Sequence, residues 1–190
     1  MKLVFATHNR NKFIEIKSLL PGHIELLSLD DIGCKEDIEE TGDTIDENAI
    51  IKADYVRNHY GYDCFADDTG LEVDSLNGAP GVYSARYAGD DKDDKANVRK
   101  LLNELEKRND RTARFKTVIA LNLKGNENLF TGVCEGFILH EQRGTNGFGY
   151  DPVFLPKGYD KSFAEMDLSE KSKISHRAMA FRELIEYLSR

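Results

Sequence analysis

Apolar and polar residues follow one another in short blocks that predict strands and helices in turn. Residues 3–6 form a continuous apolar run typical of a buried strand, and the polar stretch 7–12 follows at once. Apolar residues then recur at helical spacing over 13–20 until Pro21 ends the pattern. The chain is therefore predicted to open as strand, polar loop and helix, with backbone N–H groups at a helix N-terminus that favours phosphate.

A second helix is predicted from its capping residues. Thr44 and Glu47 form a capping box, apolar positions recur after it, and Gly61 ends the pattern. Residues 64–66 and 71–73 are then predicted as two strands, with an acidic turn at 67–70 between them.

The second half of the chain continues the alternation. Residues 96–105 predict an amphipathic helix, and 114–123 and 128–139 predict a hairpin that turns at Gly125 and Asn126. A Gly-rich stretch over 144–152 precedes a last helix over 172–189. The pattern as a whole predicts an α/β fold on a mixed sheet.

Composition narrows the class of protein. The 190 residues include 26 Lys and Arg and 34 Asp and Glu. The resulting formal net charge of −8 argues against nucleic-acid binding. The three cysteines are far apart, which predicts neither a disulfide framework nor a zinc site and fits a reducing cytoplasm. No apolar run approaches the ~18 residues of a membrane span. We expect one soluble, cytoplasmic domain over residues 1–190.

Two pairs of acidic residues are candidates for metal binding. Glu39 and Glu40 precede the capped helix, and Asp67 and Asp68 follow a predicted buried strand. Two carboxylates 4 Å apart repel by about 4 kcal/mol at an effective dielectric constant near 20, and a hard divalent cation removes that cost. Acids together with a phosphate loop indicate Mg²⁺-assisted phosphorus chemistry. Solvated acidic surface and an ordinary polar loop remain the alternatives.

The C-terminal third offers candidates for binding a flat ring. Residues 147–152 combine aromatic side chains with glycines, and Lys171, His176 and Arg177 supply hydrogen-bond donors. A tight turn with buried aromatics and a structural histidine are the alternatives. The chain has no Walker A motif, no complete dinucleotide fingerprint and no nucleophile signature, so covalent catalysis is not indicated.

Taken in order, these segments resemble the inosine triphosphate pyrophosphatase family, whose members hydrolyse deaminated purine nucleotides. Any one short block is weak evidence, but seven in sequence are highly specific. The blocks that carry the resemblance are residues 7–12, 39–42, 47–53, 66–71, 78–87, 147–152 and 175–177.

The resemblance implies an elongated, twisted mixed sheet with flanking helices, two lobes around a deep central cleft, and a homodimer. It also implies a reaction, in which water and Mg²⁺ convert ITP, dITP or XTP into the monophosphate and pyrophosphate. Neither nucleic acid nor membrane is an expected partner.

The resemblance also implies roles for residues. Glu40 and Asp68 would hold the metal, and Asp68 would be the proton acceptor. His8 stands where many members have Gly, so its role is assigned to its backbone, whereas Thr69 keeps the hydroxyl of the Ser that is common there. The substrate-binding residues would be Thr7, His8, Asn9, Arg10, Asn11, Lys12, Lys52, Thr69, Phe148, Gly149, Tyr150, Asp151, Lys171, His176 and Arg177.

Two other functions are alternative hypotheses. A non-catalytic nucleotide-binding or sensing module would use Lys12 and Phe148 but would have no need for Glu40 and Asp68. A nucleic-acid-binding protein would have to overcome the net charge of −8 without a basic stripe.

Overall fold

The computed structural model describes residues 1–189, apart from the side chains of residues 11, 15 and 18. Strands and helices alternate along this part of the chain. The strands are β1 (Lys2–Phe5), β2 (Glu25–Leu27), β3 (Cys64–Val73), β4 (Pro80–Gly81), β5 (Thr112–Leu123), β6 (Asn126–Ile138) and β7 (Phe154–Pro156). The helices are α1 (Arg10–Leu19), α2 (Ile45–Tyr60), α3 (Asp94–Glu104), α4 (Leu168–Ile174) and α5 (His176–Leu188).

The seven strands described form one mixed sheet, which confirms the predicted fold class. The order is β2-β1-β3-β5-β6-β7, and β4 pairs with β3. β1 runs parallel to both β2 and β3, whereas the β3–β4 and β6–β7 pairs are antiparallel. Between β5 and β6, Lys124 and Gly125 both have positive φ, as in a tight two-residue hairpin turn, one residue earlier than predicted.

β3 is one continuous strand, so the predicted acidic turn at 67–70 was wrong. Asp67 and Asp68 lie within the strand. Because successive side chains of a strand point to opposite faces, Phe65 and Asp67 share one face, and Cys64 and Asp68 share the other. Turn-forming residue types are tolerated here because tertiary ion pairs hold both carboxylates.

Different helices approach the two faces of β3. On one face Phe65 stacks on Phe5, with 4.6 Å between ring centroids, and Ile16 of α1 belongs to the same cluster. On the other face the Cys64 thiol donates to the Ala53 carbonyl of α2, 3.1 Å away. The alternation of β3 thus presents Asp67 toward the α1 side and Asp68 toward the α2 side.

The chain divides into two compact units, each with its own hydrophobic core. The first contains residues 1–68 and 118–131 together with the C-terminal residues from Ala180 onward, and the second contains 69–117 and 132–179. The first core is built on β1, β3 and α5, and includes Phe5, Phe65 and Phe181. The second includes Leu101, Phe154 and Phe163.

The predicted C-terminal helix is two helices, and this is a second correction. Ser175 lies between α4 and α5, its backbone is extended, and its Oγ accepts from the Ala178 N–H at 3.3 Å. Ser175 thereby caps α5, and a serine cap competes with helix continuation. In residues 1–189 no helix combines the length and the hydrophobicity that crossing a bilayer requires.

Candidate functional site

The loop after β1 is ordered by its own side chains. Thr7 Oγ1 accepts from the Asn9 N–H, and Asn9 Oδ1 accepts from the Lys12 N–H, each at 3.1 Å. The second bond caps α1, which begins at Arg10, so residues 10–12 form its first turn rather than part of the predicted loop. The N-terminus of α1 still carries the partial positive charge expected from the sequence.

Two other predicted residues belong to this segment. His8 Nε2 lies 3.0 Å from the Glu36 carbonyl oxygen, so its imidazole contacts the chain in the described structure. The Arg10 side chain is exposed. The side chain of Asn11 lies outside the described part of the chain.

Lys12 connects this segment to β3. Its ammonium nitrogen donates to Asp67 Oδ2 at 2.8 Å, and the Asp67 carboxyl group is almost fully buried. The partner of this buried carboxylate lies 55 residues earlier in the chain. The pair brings a cation to the face of β3 that carries Asp67, next to the N-terminus of α1.

A second cluster gathers the two predicted metal ligands around Lys52 of α2. Lys52 Nζ donates to Glu40 Oε1 at 2.5 Å and to the Asp67 backbone carbonyl at 2.8 Å. Asp68 Oδ1 lies 3.7 Å from the same nitrogen. The structure therefore brings Glu40, Lys52 and Asp68 together. Their roles in binding a metal and a substrate stay predictions.

Lys52 remains charged in this environment. Burial alone would lower its pKa, but the negative charges of Asp68, Glu40 and Asp67 outweigh burial and raise the pKa above 10.5. Two ammonium groups, of Lys12 and Lys52, thus face three carboxylates. The set has one more negative than positive charge if every group is ionised.

The chemistry of this set fits a hard divalent cation. Carboxylate oxygens are the protein ligands that Mg²⁺ prefers, and Mg²⁺ is often held by only one or two of them together with substrate phosphates. Glu40 and Asp68 supply two. Among residues 1–189 there is no cluster of three or more His, Cys, Asp or Glu side chains arranged to hold a metal by themselves.

In the second unit a buried ion pair shapes the loop that carries Phe148. Lys171 Nζ donates to Asp151 Oδ2 at 2.5 Å, and the same oxygen accepts from the Phe148 N–H at 3.0 Å. The Gly149 N–H donates to Asp94 Oδ2 at 2.8 Å. Asp151 is therefore a residue that holds the loop, and its buried position leaves its side chain little contact with solvent.

Phe148 is an exposed aromatic residue, and the stacking role that the resemblance implies for it stays a prediction. Its side chain is 56% exposed, which is unusual for a phenylalanine. The Lys171 ammonium lies 5.4 Å, and the Arg177 guanidinium carbon 5.6 Å, from the ring centroid. An aromatic surface next to two cations suits a purine, because the ring face can stack and N–H groups can donate to the base edge.

His176, Arg177 and Tyr150 are buried, unlike Phe148. The His176 ring stacks on Phe115 with 4.6 Å between centroids. The Tyr150 hydroxyl donates to the Ser84 carbonyl at 2.7 Å, so the fold itself uses this side chain. The structure thus places Tyr150 in the core, and its role as a substrate contact stays a prediction.

Thr69 follows Asp68 in β3 and is only partly buried. Its Oγ1 lies 2.7 Å from Oγ1 of Thr117 on β5. No sequence signal selects Thr117, because a threonine within an apolar strand pattern is typical of any strand. The sequence marks Asp67 as one of an acidic pair but does not predict its pairing with Lys12.

Comparison with known proteins agrees with the family resemblance found in the sequence. A family model described as the Ham1 family matches residues 3–187. A dITP/XTP pyrophosphatase of Christiangramia forsetii is 80% identical over 190 residues, covering 100% of both chains. The Bacillus subtilis dITP/XTP pyrophosphatase is 49% identical over 189 residues, covering 97% of this chain and 96% of the relative.

Solved structures lead to the same family. The Staphylococcus aureus Ham1 protein has a TM-score of 0.94 and 39% identity, covering 100% of this chain and 98% of that one. A HAM1 protein from Coxiella burnetii has a TM-score of 0.95 and 41% identity at the same coverage. These findings confirm the resemblance inferred from the seven blocks. Since the family model spans nearly the whole chain and a full-length relative is 80% identical, the chain belongs to the Ham1 family.

Proposed function

We propose that this chain is a nucleoside triphosphate pyrophosphatase that converts dITP, ITP and XTP into the monophosphate and pyrophosphate. The observation that carries the proposal is the cluster of Glu40 and Asp68 around the charged Lys52. The names of the relatives, dITP/XTP pyrophosphatases, support the same substrates. Residues 1–190 act as one pyrophosphatase domain, because the family match extends through both compact units.

The segment from Thr7 to Lys12 binds the triphosphate in this proposal. Backbone N–H groups at the start of α1 and the Lys12 ammonium supply donors and positive charge for phosphate oxygens. Lys12 already contacts a carboxylate, Asp67, so the phosphate joins an existing ion pair rather than an isolated cation. Thr7 and Asn9 hold the segment in shape through their side-chain bonds to its backbone.

Glu40 and Asp68 would hold Mg²⁺, which when bound would neutralise phosphate charge and activate water. Asp68 accepts the proton of the attacking water, a task that an ionised carboxylate performs at neutral pH. The Lys52 ammonium keeps the carboxylates of Glu40 and Asp68 close together. It also stabilises negative charge on the departing pyrophosphate. Because its pKa is raised, the Lys52 ammonium stays protonated at neutral pH.

The purine is bound by Phe148 and the cationic residues around it. Phe148 stacks on the base, and donors of Lys171, His176 and Arg177 favour the 6-oxo acceptor of hypoxanthine and xanthine over the 6-amino group of adenine. One such mismatch leaves a buried polar group unpaired, which costs roughly 1–3 kcal/mol. Rejection of ATP by more than about a hundredfold therefore needs more than one contact.

The chain's partners follow from the same proposal. A purine nucleoside triphosphate is the substrate, and the active form is a cytoplasmic homodimer, as the family resemblance implies. Nucleic acid is not a partner, since the net charge of −8 opposes it. Membrane binding is not part of the proposed function.

The deciding experiment incubates the purified protein with dITP, ITP, XTP, ATP and GTP, with and without Mg²⁺, and measures pyrophosphate and orthophosphate separately. The proposal expects pyrophosphate from the first three nucleotides in the presence of Mg²⁺. Release of orthophosphate alone would refute cleavage between the α and β phosphates. Tight ITP binding without turnover would instead favour the non-catalytic nucleotide-binding alternative.

A further inference from the structure

Thr117 lies at the centre of β5 with its side chain fully buried. Within residues 1–189 its hydroxyl makes one hydrogen bond, to the hydroxyl of Thr69, with 2.7 Å between the two oxygens. Thr69 is only partly buried and follows Asp68 directly in the chain. Thr117 is thus buried inside the second unit, whereas Thr69 is partly exposed at the surface of that unit.

The direction of this hydrogen bond follows from burial. Each hydroxyl carries one donor hydrogen and two acceptor lone pairs, and within a pair only one hydrogen lies between the oxygens. If Thr69 were the donor, the Thr117 hydrogen would be buried without an acceptor, which costs about 1–3 kcal/mol. Thr117 therefore donates, and Thr69 accepts. The hydrogen of Thr69 is left to point away from the pair.

We infer that Thr117 is a positioning residue that fixes the Thr69 hydroxyl as a hydrogen-bond donor to the nucleotide. This inference rests on the proposed function, in which Thr69 contacts the substrate. An outward donor on the residue that follows Asp68 in the chain fits an acceptor of the nucleotide, such as a phosphate oxygen, the 6-oxo oxygen or a ring nitrogen of the base. Thr117 acts through Thr69 and does not itself touch the substrate.

The first test removes the Thr117 hydroxyl while keeping its shape. Thr117→Val is isosteric and leaves Thr69 free to rotate, so we expect kcat/KM for ITP to fall about three- to tenfold, the effect of one ordinary hydrogen bond. Thr117→Ser keeps the donor and should restore kcat/KM to within about twofold. The loss should appear in KM, and the pH profile of kcat should keep its shape, because Asp68 is unchanged.

A double-mutant cycle separates positioning from packing. Thr69→Val removes the donor itself, and in that background Thr117→Val should cause no further loss of kcat/KM. Losses that multiply in the double variant would overturn the inference. So would a Thr117→Ser variant as impaired as Thr117→Val, since only packing would then explain both. If Thr117→Val fails to fold, Thr117→Cys replaces it, because a thiol is a weak donor.

Calorimetric Kd values for ITP are measured for the same variants. If the wild type binds ITP but does not cleave it, the proposed reaction fails, and the cycle can still be evaluated on Kd with the same expected non-additivity. If the cycle is additive in a wild type that does cleave ITP, the inference fails while the proposed function stands. A wild type that neither binds nor cleaves ITP overturns both.

Discussion

The ammonium group of Lys52 lies 2.5 Å from Glu40 Oε1 and 3.7 Å from Asp68 Oδ1. One lysine of α2 therefore joins a residue of the preceding loop to a residue of β3. The three residues are distant in sequence, and the buried ammonium group of Lys52 holds the two carboxylates near each other. Loss of that charge would leave two carboxylates close together without compensation.

Lys52→Met tests how far this cation stabilises the fold. Removing one partner of a buried ion pair costs about 3 kcal/mol or more, so we expect a loss of that order in the free energy of unfolding near pH 7. The raised pKa of Lys52 means that its contribution is complete below about pH 10.4, the unfolded value, and is lost as the pH rises through the folded value. Guanidinium unfolding at several pH values measures both effects.

The matched control is Lys35→Met, which alters an exposed lysine. It should change the free energy of unfolding by about 0.5 kcal/mol at most. The difference in the free energy of unfolding between the Lys52→Met variant and the wild type should become smaller above about pH 10.4. A gap that stays constant into strongly alkaline solution would show that packing of the lysine stem, rather than its charge, is responsible.

Glu40→Gln removes one proposed ligand of the metal while preserving side-chain size. The Mg²⁺ concentration for half-maximal pyrophosphate release should rise about tenfold or more. Glu39→Gln is the control, because Glu39 is the neighbouring residue in the chain and is more exposed. Equal shifts in the two variants would mean that general negative charge, and not a contact from Glu40, sets the Mg²⁺ requirement.

Asp68→Asn separates catalysis from binding. Because the amide cannot accept a proton as a carboxylate does, kcat should fall by about a hundredfold or more. ITP binding, measured by calorimetry, should remain largely intact, since Lys12 and Phe148 are unchanged. Asp37→Asn, at an exposed carboxylate, should leave both quantities near the wild-type values. Loss of binding in Asp68→Asn would reassign Asp68 to substrate anchoring.

The sequence predicted those parts of the fold that local signals determine. The helix after Thr44 is an example, because its capping box with Glu47 and its end at Gly61 are both present in the structure. The continuity of β3 could not be predicted in the same way. Its acidic residues are held by lysines from α1 and α2, and such distant pairings leave no local pattern.

The same distinction applies to the candidate site. Glu40, Lys52 and Asp68 could be assigned together because the order of the seven blocks resembles a family. Tyr150 shows what residue type alone leaves open, because its burial against Ser84 depends on tertiary packing. Thr117 carries no sequence signal at all, and only its contact with Thr69 distinguishes it.

Phe148→Ala tests the stacking surface. Removal of the exposed ring should raise the KM for dITP, ITP and XTP together, by about tenfold, the equivalent of about 1.4 kcal/mol. The ratio between bases should change little, since every purine offers a face. Phe137→Ala, at another exposed phenylalanine of the second unit, is the matched control and should leave KM unchanged. Unchanged Michaelis constants in Phe148→Ala would reject the stacking role.

Gly147 and Gly149 offer a matched pair for testing how the Phe148 loop is held. Both have positive φ, so alanine at either position costs about 1–2 kcal/mol of backbone strain. A Cβ at Gly147 would also lie 2.0 Å from Asp151 Oδ2, whereas a Cβ at Gly149 would have open space. Gly147→Ala therefore displaces the carboxylate that accepts from Lys171 and from the Phe148 N–H.

We expect Gly147→Ala to be less stable than Gly149→Ala by about 1–3 kcal/mol, the usual cost of forcing atoms into packed space. Thermal unfolding of the two variants measures this difference. ITP affinity should fall further in Gly147→Ala, because the ion pair that orients the loop is disturbed. Equal losses of stability and affinity in both variants would show that backbone conformation alone matters, and that the contact of Asp151 with Lys171 does not orient the exposed ring.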